Sequence, residues 1–258
     1  MQLSTVHCET VDSIIWKDFS ETVLQNNVVV LKIYLPDFEH NIDQLAVLLS
    51  HDETIRSLKY HFEKDQHRFI IVRGILRLLL GTVSGQGSAG VRFTLSQNHK
   101  PALANYPDIC YNVSHSGKHA CIALSPKPIG IDVEELNRSF GFKEILETSF
   151  SEAEKTQILK NKNPQTEFYR LWTRKESLSK ATGLGLGDSL TVLPAIDGLT
   201  QISNSLTASE NWYTVSFDID SKAIGSVTFL SSMKKDPIEF SILNLNWLLH
   251  DRTVVSQL

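Results

Sequence analysis

The order of strand-like and helix-like segments is the feature of this 258-residue chain that most constrains its fold. A β-branched run bounded by turn-forming residues, at 26–36, predicts a strand, and apolar residues at three- and four-residue spacing then predict helices over 43–81. Short strand-like runs follow between 91 and 136, then two helical stretches, and then two more strand-like runs. Since both halves mix strands with helices, the sequence predicts an α+β fold.

A turn-rich junction, SPKPIG at 125–130, is the expected boundary between two halves of similar size. It divides the chain into an N-terminal half, residues 1–125, and a C-terminal half, residues 126–258. No residue-level repeat relates the two halves. The small residues of segment 81–90 predict a plain loop. A phosphate-binding role would need a following lysine and helix, which are absent.

The charge and the cysteine content exclude several classes of protein. A net charge of −4 and a pI near 6.1 argue against nucleic-acid binding, whose affinity comes mainly from a basic surface. The cysteines are odd in number and have no CxxC spacing, so they indicate neither a disulfide framework nor a zinc site; they are Cys8, Cys110 and Cys121. We therefore expect a protein of the reducing cytoplasm that binds no nucleic acid.

Nothing in the sequence predicts association with a membrane. The N-terminal residues lack a basic leader followed by a continuous apolar run, so no secretory signal is expected. The longest apolar run, at 69–81, is interrupted by Arg73 and Arg77 and is far shorter than the roughly 20 residues that span a bilayer. This run is expected to be a helix of the protein core.

Two acids in a strand-like run are the first candidates for a functional site. In IGIDVEEL, Asp132 and Glu134 are two residues apart, so strand alternation points both carboxylates to the same side. Two close negative charges repel, and solvent, a basic partner or a hard divalent cation must offset that repulsion. From the pair alone, a solvated acidic strand end is the preferred interpretation.

A helical stretch supplies a third acid and a base. Helical spacing places Trp172, Glu176 and Lys180 on one face of the segment FYRLWTRKESLSKATG. Alone, the Glu-to-Lys pair is a common helix stabiliser, but together with the acidic strand it predicts a magnesium site that handles phosphate. Lys175 lies off this face, and we expect it to contact substrate or solvent rather than to act in catalysis.

These residues form motifs. Residues 130–134 read GIDVE and residues 172–180 read WTRKESLSK, and NVSHS at 112–116, FSEAE at 150–154 and KPAL at 100–103 accompany them. From about residue 49 to about residue 190, the chain resembles the Sfp-type 4′-phosphopantetheinyl transferases. The resemblance implies a monomer of two similar halves that form a pseudo-dimer, with the active site in the cleft between the halves.

The activity that the resemblance implies is transfer of the 4′-phosphopantetheine group from coenzyme A, the co-substrate, to a serine hydroxyl of an apo acyl or peptidyl carrier protein. The other product would be 3′,5′-ADP. Such carriers serve fatty acid, polyketide or nonribosomal peptide synthesis, and the sequence does not identify which of them this chain modifies. The implied metal is Mg²⁺, with Mn²⁺ as an alternative.

The resemblance also assigns roles to residues. Asp132, Glu134 and Glu176 are the implied magnesium ligands, and Glu176 is also the implied base. Metal coordination weakens a carboxylate as a proton acceptor, so a bridging water or Glu154 as a relay remains an alternative. Lys180 is expected to stabilise or protonate the leaving phosphate and to contact coenzyme A.

The remaining positions carried over from the family are the expected coenzyme A ligands. A charged ligand of this kind calls for arginine, lysine and imidazole donors. The expected ligands are Arg56, Arg68, Lys100, Pro101, Ser114 and His115, of which Arg56 rests only on its spacing from Arg68. One departure precedes Lys100, because His99 stands where the family commonly has glycine.

Two other interpretations remain open at this level. A different magnesium enzyme with a nucleotide-like substrate would need the acids and Lys180 but not the motifs NVSHS and KPAL. A non-catalytic module that binds carrier proteins would be expected to have lost one of Asp132, Glu134, Glu176 or Lys180, and this chain has all four. The stretch 239–258 matches no motif, and we expect it to pack against the core, with a partner surface as the alternative.

Overall fold

The computed structural model describes residues 3–19, 28–95, 100–184, 190–203, 210–231 and 238–244. The α-helices are α1 (Ile42–Ala46), α2 (His51–Ser57), α3 (Glu63–Ser84), α4 (Gly87–Gly90), α5 (Lys143–Ser149), α6 (Glu152–Lys160) and α7 (Pro164–Thr182). The strands are β1 (Leu3–Val11), β2 (Lys17–Asp18), β3 (Val28–Tyr34), β4 (Phe93–Leu95), β5 (Pro101–Leu103), β6 (Cys110–Ser116), β7 (His119–Ser125), β8 (Ile129–Glu135), β9 (Gly198–Ser203), β10 (Asn211–Asp220), β11 (Ala223–Leu230) and β12 (Ile238–Ile242). Short 3-10 helices span Leu35–Asn41 and Leu190–Val192.

Local sequence signals set the ends of several helices. Ser50 and Ser151 begin α2 and α6 in capping boxes with the glutamate three residues later. Pro164 opens α7, where its missing N–H costs nothing. Gly183 ends α7 in the left-handed conformation, with φ 75°, which confirms the helix stop predicted there.

The segment 81–90 is not the plain loop that the sequence predicted. The helix α3 continues to Ser84, and the short helix α4 follows from Gly87. A side chain at Gly81 would overlap the backbone of Gly87 and Ser88, so the small residues serve a close approach of two helices. The expected core helix is confirmed, and no described helix is long and apolar enough to cross a membrane.

Two five-stranded sheets that share a three-strand arrangement confirm the α+β fold of two similar halves. One sheet has the strand order β8-β11-β10-β1-β9 and the other has β2-β12-β3-β7-β6, while β4 and β5 form a small hairpin. In each half one strand precedes a long helix, and two antiparallel strands follow that helix. These three strands are β3, β6 and β7 in one half and β8, β10 and β11 in the other. In both sheets the last of the three lies between the other two. The repeat that is invisible in the residues is therefore visible in the strand order.

The terminal strands cross between the halves. The N-terminal strand β1 pairs in parallel with β10 of the C-terminal half, and β12 pairs in parallel with β3 of the N-terminal half. Each sheet therefore contains strands from both ends of the chain. The predicted boundary at 125/126 falls between the end of β7 and the start of β8, and it stays a prediction.

Apolar side chains fill three layers between the elements. One core lies between α3 and the β3 sheet, a second lies between the two sheets, and smaller cores lie between the β8 sheet and α5, α6 and α7. The strand β12 takes part through Phe240, which confirms core packing for that part of 239–258; residues 245–258 lie outside the described residues.

The helix α7 lies directly on β8. A side chain at Gly130 would overlap the backbone of Ser177 and Ala181, so glycine there permits this close contact. Buried hydroxyls complete the interface: Thr173 bonds Ser226 at 2.8 Å. Because the backbones of α7 and β8 are in contact at Gly130, this contact fixes the distance between the helix and the strand.

Substitution Gly130→Ala is expected to lower the free energy of unfolding by about 3 kcal/mol or more, because the methyl group would push α7 off β8 and no flexible side chain can yield. Urea denaturation followed by circular dichroism would measure the change. Gly141→Ala is the matched control, since a side chain there meets no atom within 4 Å. Equal stability of the two variants would contradict the close packing of α7 on β8.

Candidate active site

The predicted acidic pair lies where α7 covers β8. Alternation along β8 turns Ile131 and Val133 into the core between the sheets, so Asp132 and Glu134 face the other way, as predicted. Asp132 is 4% exposed, and Glu134 is partly buried. The pair is therefore not the solvated strand end that an acidic dipeptide alone would favour.

The helix α7 brings its predicted face to these acids. The Lys180 ammonium donates to Asp132 Oδ1 at 2.6 Å, and Glu176 is 6% exposed within the same group of charges. The Trp172 ring stacks on Phe168, and its side chain acts to lower the pKa of Glu134. The structure thus assembles the strand acids with the helix acid and base, although forty residues separate them in the chain.

A ladder of polar side chains joins the two sheets at this point. The edge strand β6 of one sheet lies beside the edge strand β8 of the other. Asn112 accepts a hydrogen bond from the N–H of Ile131, Ser114 from the N–H of Val133, and Ser116 from the N–H of Glu135; the distances are 2.8, 3.3 and 3.1 Å. These side chains satisfy the backbone donors that an unpaired strand edge would leave exposed.

The same serines orient the acids. Ser114 donates to Asp132 Oδ1 at 2.8 Å and also accepts a hydrogen bond from Lys180 at 3.2 Å. Ser116 donates to Glu134 Oε2 at 2.7 Å. Ser114 was expected only as a coenzyme A ligand, and Asn112 and Ser116 were given no role. The spacing N-x-S-x-S on a strand could have shown that the three side chains share one face.

Burial dominates the electrostatics of the group. Loss of water raises the pKa of Asp132, opposed by the ammonium of Lys180, and raises the pKa of Glu134, opposed by its bond from Ser116. Burial, together with the charge of Asp132, raises the pKa of Glu176 to about 7. A carboxyl with such a pKa can gain and lose a proton near neutral pH, which suits it to act as a base.

The donor set suits a hard divalent cation. Asp132 Oδ2 is buried and has no hydrogen-bond partner among the described residues, a costly state that a cation would relieve. Carboxylate oxygens are the ligands that Mg²⁺ prefers, and it often takes only one or two from the protein. However, the described part of the chain contains no group of three acid, histidine or cysteine side chains arranged to hold a metal. Asp132, with its unpartnered oxygen, and Glu134 are candidate ligands, and the assignment of Asp132, Glu134 and Glu176 to a magnesium site stays a prediction.

A cavity between α2, α3 and β6 collects three of the expected coenzyme A ligands. Arg56, Arg68 and His115 line it together with Arg73, which makes it cationic. Within it, Arg68 pairs with Asp65 at 2.8 Å. Burial and the neighbouring Arg68 lower the pKa of His115. The arrangement can bind an anion through planar guanidinium donors.

Lys100 and Pro101 line a different cavity of about 460 Å³, beside the end of α7. The Lys100 ammonium donates to the carbonyl oxygen of Ile129 at 2.6 Å, and burial lowers its pKa to about 8. Much of the remaining lining is apolar, including Leu103, Tyr106 and Ile109. Lys100 thus does not line the cavity of the arginines, whereas Pro101 also lines a further cavity together with Arg56. The preceding His99 lies outside the described residues.

Two predicted residues lie in the interior. Lys175 is 0% exposed and forms an ion pair with Glu154 at 2.9 Å, so the expectation that it contacts substrate or solvent was wrong. The reason is its position on α7, which turns it toward the segment 190–195 rather than toward the acids. Glu154 itself also accepts hydrogen bonds from Ser151 and Ala195. Its role as a proton relay stays a prediction.

The pKa of Glu176 predicts a pH dependence of stability. Its carboxyl binds a proton up to a pH of about 7 in the folded protein and up to 4.5 in the unfolded chain. The folded state therefore holds more protons between these values, and the free energy of unfolding falls as the pH rises through this window. Glu176→Gln removes this contribution, so its free energy of unfolding should fall by about 2 kcal/mol less over the same pH window.

Urea denaturation at pH 5, 6, 7 and 8 in the presence of a chelator would measure this difference. Glu144→Gln is the control, because this glutamate is exposed on α5. A fall in the Glu176→Gln variant as steep as in the unmodified protein would show that Glu176 keeps an ordinary pKa.

Comparison with known proteins identifies the family of the chain. Residues 36–127 match the family model of the 4′-phosphopantetheinyl transferase N-terminal region, and residues 128–240 match that of the 4′-phosphopantetheinyl transferase superfamily. Together the two models cover the β6–β8 junction and α7. The acids and Lys180 all lie within the second model.

The region aligned with this chain covers most of the length of several relatives. A 4′-phosphopantetheinyl transferase of Bacillus subtilis is 32% identical over 165 residues, which are 62% of this chain and 73% of the relative. The enzyme HetI of Nostoc sp. is 33% identical over 171 residues, 64% of this chain and 72% of the relative. The enzyme Sfp of Bacillus subtilis is 31% identical over 184 residues, 69% and 80% respectively. The chain therefore belongs to the 4′-phosphopantetheinyl transferase superfamily and is a transferase.

Proposed function

We propose that this protein transfers the 4′-phosphopantetheine group of coenzyme A to a serine hydroxyl of an apo carrier protein and releases 3′,5′-ADP. The observation that carries the proposal is the convergence of Asp132, Glu134, Glu176 and Lys180 at the β8–α7 contact. Phosphoryl-type transfer requires charge stabilisation at the pyrophosphate and a base near the hydroxyl. This group of side chains contains candidates for both.

Asp132 and Glu134 would hold the Mg²⁺ on which the reaction depends, and Glu176 is the third candidate ligand. When bound, the cation neutralises charge on the pyrophosphate oxygens of coenzyme A. The buried, unpartnered Oδ2 of Asp132 supports this assignment. Ser114 and Ser116 keep the two carboxylates in place through their hydrogen bonds.

Glu176 is the proposed base that accepts the proton of the carrier serine. Its carboxyl is raised to a pKa of about 7, whereas Glu154 is engaged by the Lys175 ammonium away from the acids. Lys180 places a positive charge beside Asp132, where it would donate a hydrogen bond to the leaving phosphate. The proximity of these groups at the β8–α7 contact supports the proposed roles.

Arg56, Arg68 and His115 would bind the 3′-phosphate of coenzyme A. Their shared cavity is cationic, and Arg68 can exchange its bond with Asp65 for a bidentate bond with a phosphate. The cavity lined by Lys100 is also lined by the residue that follows Lys180 at the end of α7. Its largely apolar lining suits the uncharged pantetheine arm. Lys100 would then contact the chain of the ligand rather than its 3′-phosphate.

The first test is direct. The protein is incubated with several apo carrier proteins, coenzyme A and Mg²⁺, and the intact mass of each carrier and the release of 3′,5′-ADP are measured. We expect one phosphopantetheine per modified carrier, with no gain after chelation. Failure on every carrier type, with binding of coenzyme A retained, would refute the proposed function.

Variants connect that activity to the site. In Asp132→Ala and in Glu176→Gln we expect kcat to fall about a hundredfold or more, because a charge that holds the cation or accepts the proton is lost. The Glu144→Gln variant serves as the control. Near-normal turnover in either site variant would refute the assignment of that residue.

A second prediction concerns the 3′-phosphate. In Arg68→Met we expect kcat/KM for coenzyme A to fall about tenfold or more, because a hydrogen bond to a charged group is lost. With 3′-dephospho-coenzyme A as the donor, the same substitution should change kcat/KM little. Steady-state kinetics with both donors, and with Lys59→Met as an exposed control cation, would measure this. Equal losses with both donors would place Arg68 elsewhere on the ligand.

A further inference from the structure

A buried ion pair stands immediately behind the catalytic face of α7. Lys175 is 0% exposed, and its ammonium donates to Glu154 Oε2 at 2.9 Å and to the carbonyl oxygens of Leu190 at 2.8 Å and Leu193 at 2.6 Å. An ammonium has three N–H donors, so this set uses all of them. The side chain therefore has no donor left for a substrate.

Glu154 extends the same network. It is 3% exposed, and its Oε1 accepts the N–H of Ala195 at 3.0 Å. Its Oε2 accepts the N–H of Ser151 at 2.8 Å, in the capping box that begins α6. One ion pair thus ties together α6, α7 and the segment 190–195. Removing either partner would leave the other as an uncompensated buried charge.

We propose that Lys175 and Glu154 are positioning residues for the transferase site, an inference that rests on the proposed function. Lys175 precedes Glu176 in the helix, and successive residues of an α-helix point about 100° apart. Anchoring Lys175 on the side of 190–195 therefore fixes the rotation of α7 that turns Glu176 and Lys180 toward Asp132. The two residues act through this helix and touch no reacting atom.

Such an anchor matters because catalysis is sensitive to small displacements of the catalytic groups. A displacement of about 1 Å can cost about a hundredfold in rate, and catalytic groups need their orientation held by packing and hydrogen bonds. Other polar contacts beneath α7 include hydroxyl pairs and the buried guanidinium of Arg174, which donates to Ser216 and to the carbonyl oxygen of Ala195 and pairs with the largely exposed Asp197. The Lys175–Glu154 pair has both of its partners buried.

The experiment compares Glu154→Gln, Lys175→Met, the double variant and the control Lys155→Met. Lys155 is also ion-paired but to exposed acids, so its loss should change nothing. We expect each single variant to lower kcat about tenfold or more, with KM for coenzyme A and the pH profile of kcat unchanged. The double variant should recover part of kcat, because neither charge is then left unpaired.

Amide hydrogen exchange separates this proposal from the proposed function. In Lys175→Met the amides of Leu193 and Ala195 should exchange faster, because their segment has lost its anchor, and this holds whether or not the unmodified protein modifies a carrier. Absence of transfer by the unmodified protein would refute the function, whereas unchanged exchange would refute the anchor. If the single variants do not fold, Glu154→Asp, which keeps the charge and shortens the side chain, should still fold and show the lower kcat.

Two kinetic results would overturn the proposal. The first is kcat at the level of the unmodified protein in both single variants. The second is a shifted pH profile in Glu154→Gln without recovery in the double variant, which would make Glu154 a proton carrier instead of a positioning residue.

Discussion

The site depends on the junction between the edge strands β6 and β8. An unpaired strand edge exposes backbone N–H groups, and here the side chains of Asn112, Ser114 and Ser116 accept them. At this junction the two sheets are held in register by side chains rather than by strand pairing. Because Ser114 and Ser116 also donate to Asp132 and Glu134, the contact that joins the sheets also orients the acids.

The helix α7 supplies the other side of the site, and its buried surface is unusually polar. Hydroxyls and the Arg174 guanidinium meet hydroxyls of the sheet below, while Gly130 lets the helix backbone approach β8. Such an interface is stable only when its polar groups are paired. Directional bonds of this kind define the position and rotation of the helix more sharply than apolar packing alone, and the chemistry requires that precision because Glu176 and Lys180 must reach acids on a different element.

Local patterns predicted much of the fold. The strands β3 and β6 to β8, the core helix α3 and the end of α7 at Gly183 all follow from residue spacing and end signals. The strand β1 and the crossing of the terminal strands were not predicted, because strand pairing between residues some 200 positions apart leaves no local signal. The helix α4 was missed since glycines that serve close helix packing look like loop glycines in a sequence.

The sequence by itself determined which chemical groups share a face. The two-residue period of a strand aligned Asp132 with Glu134, and the helical period aligned Trp172, Glu176 and Lys180. Only the tertiary structure decided that these two faces meet, that Ser114 and Ser116 hold the acids, and that Lys175 is sealed in the interior with Glu154 while Lys180 enters the site. Both lysines belong to one motif, and periodicity shows only that they differ in direction. What each one meets depends on elements distant in the chain, and contacts of that kind are fixed by packing rather than by spacing.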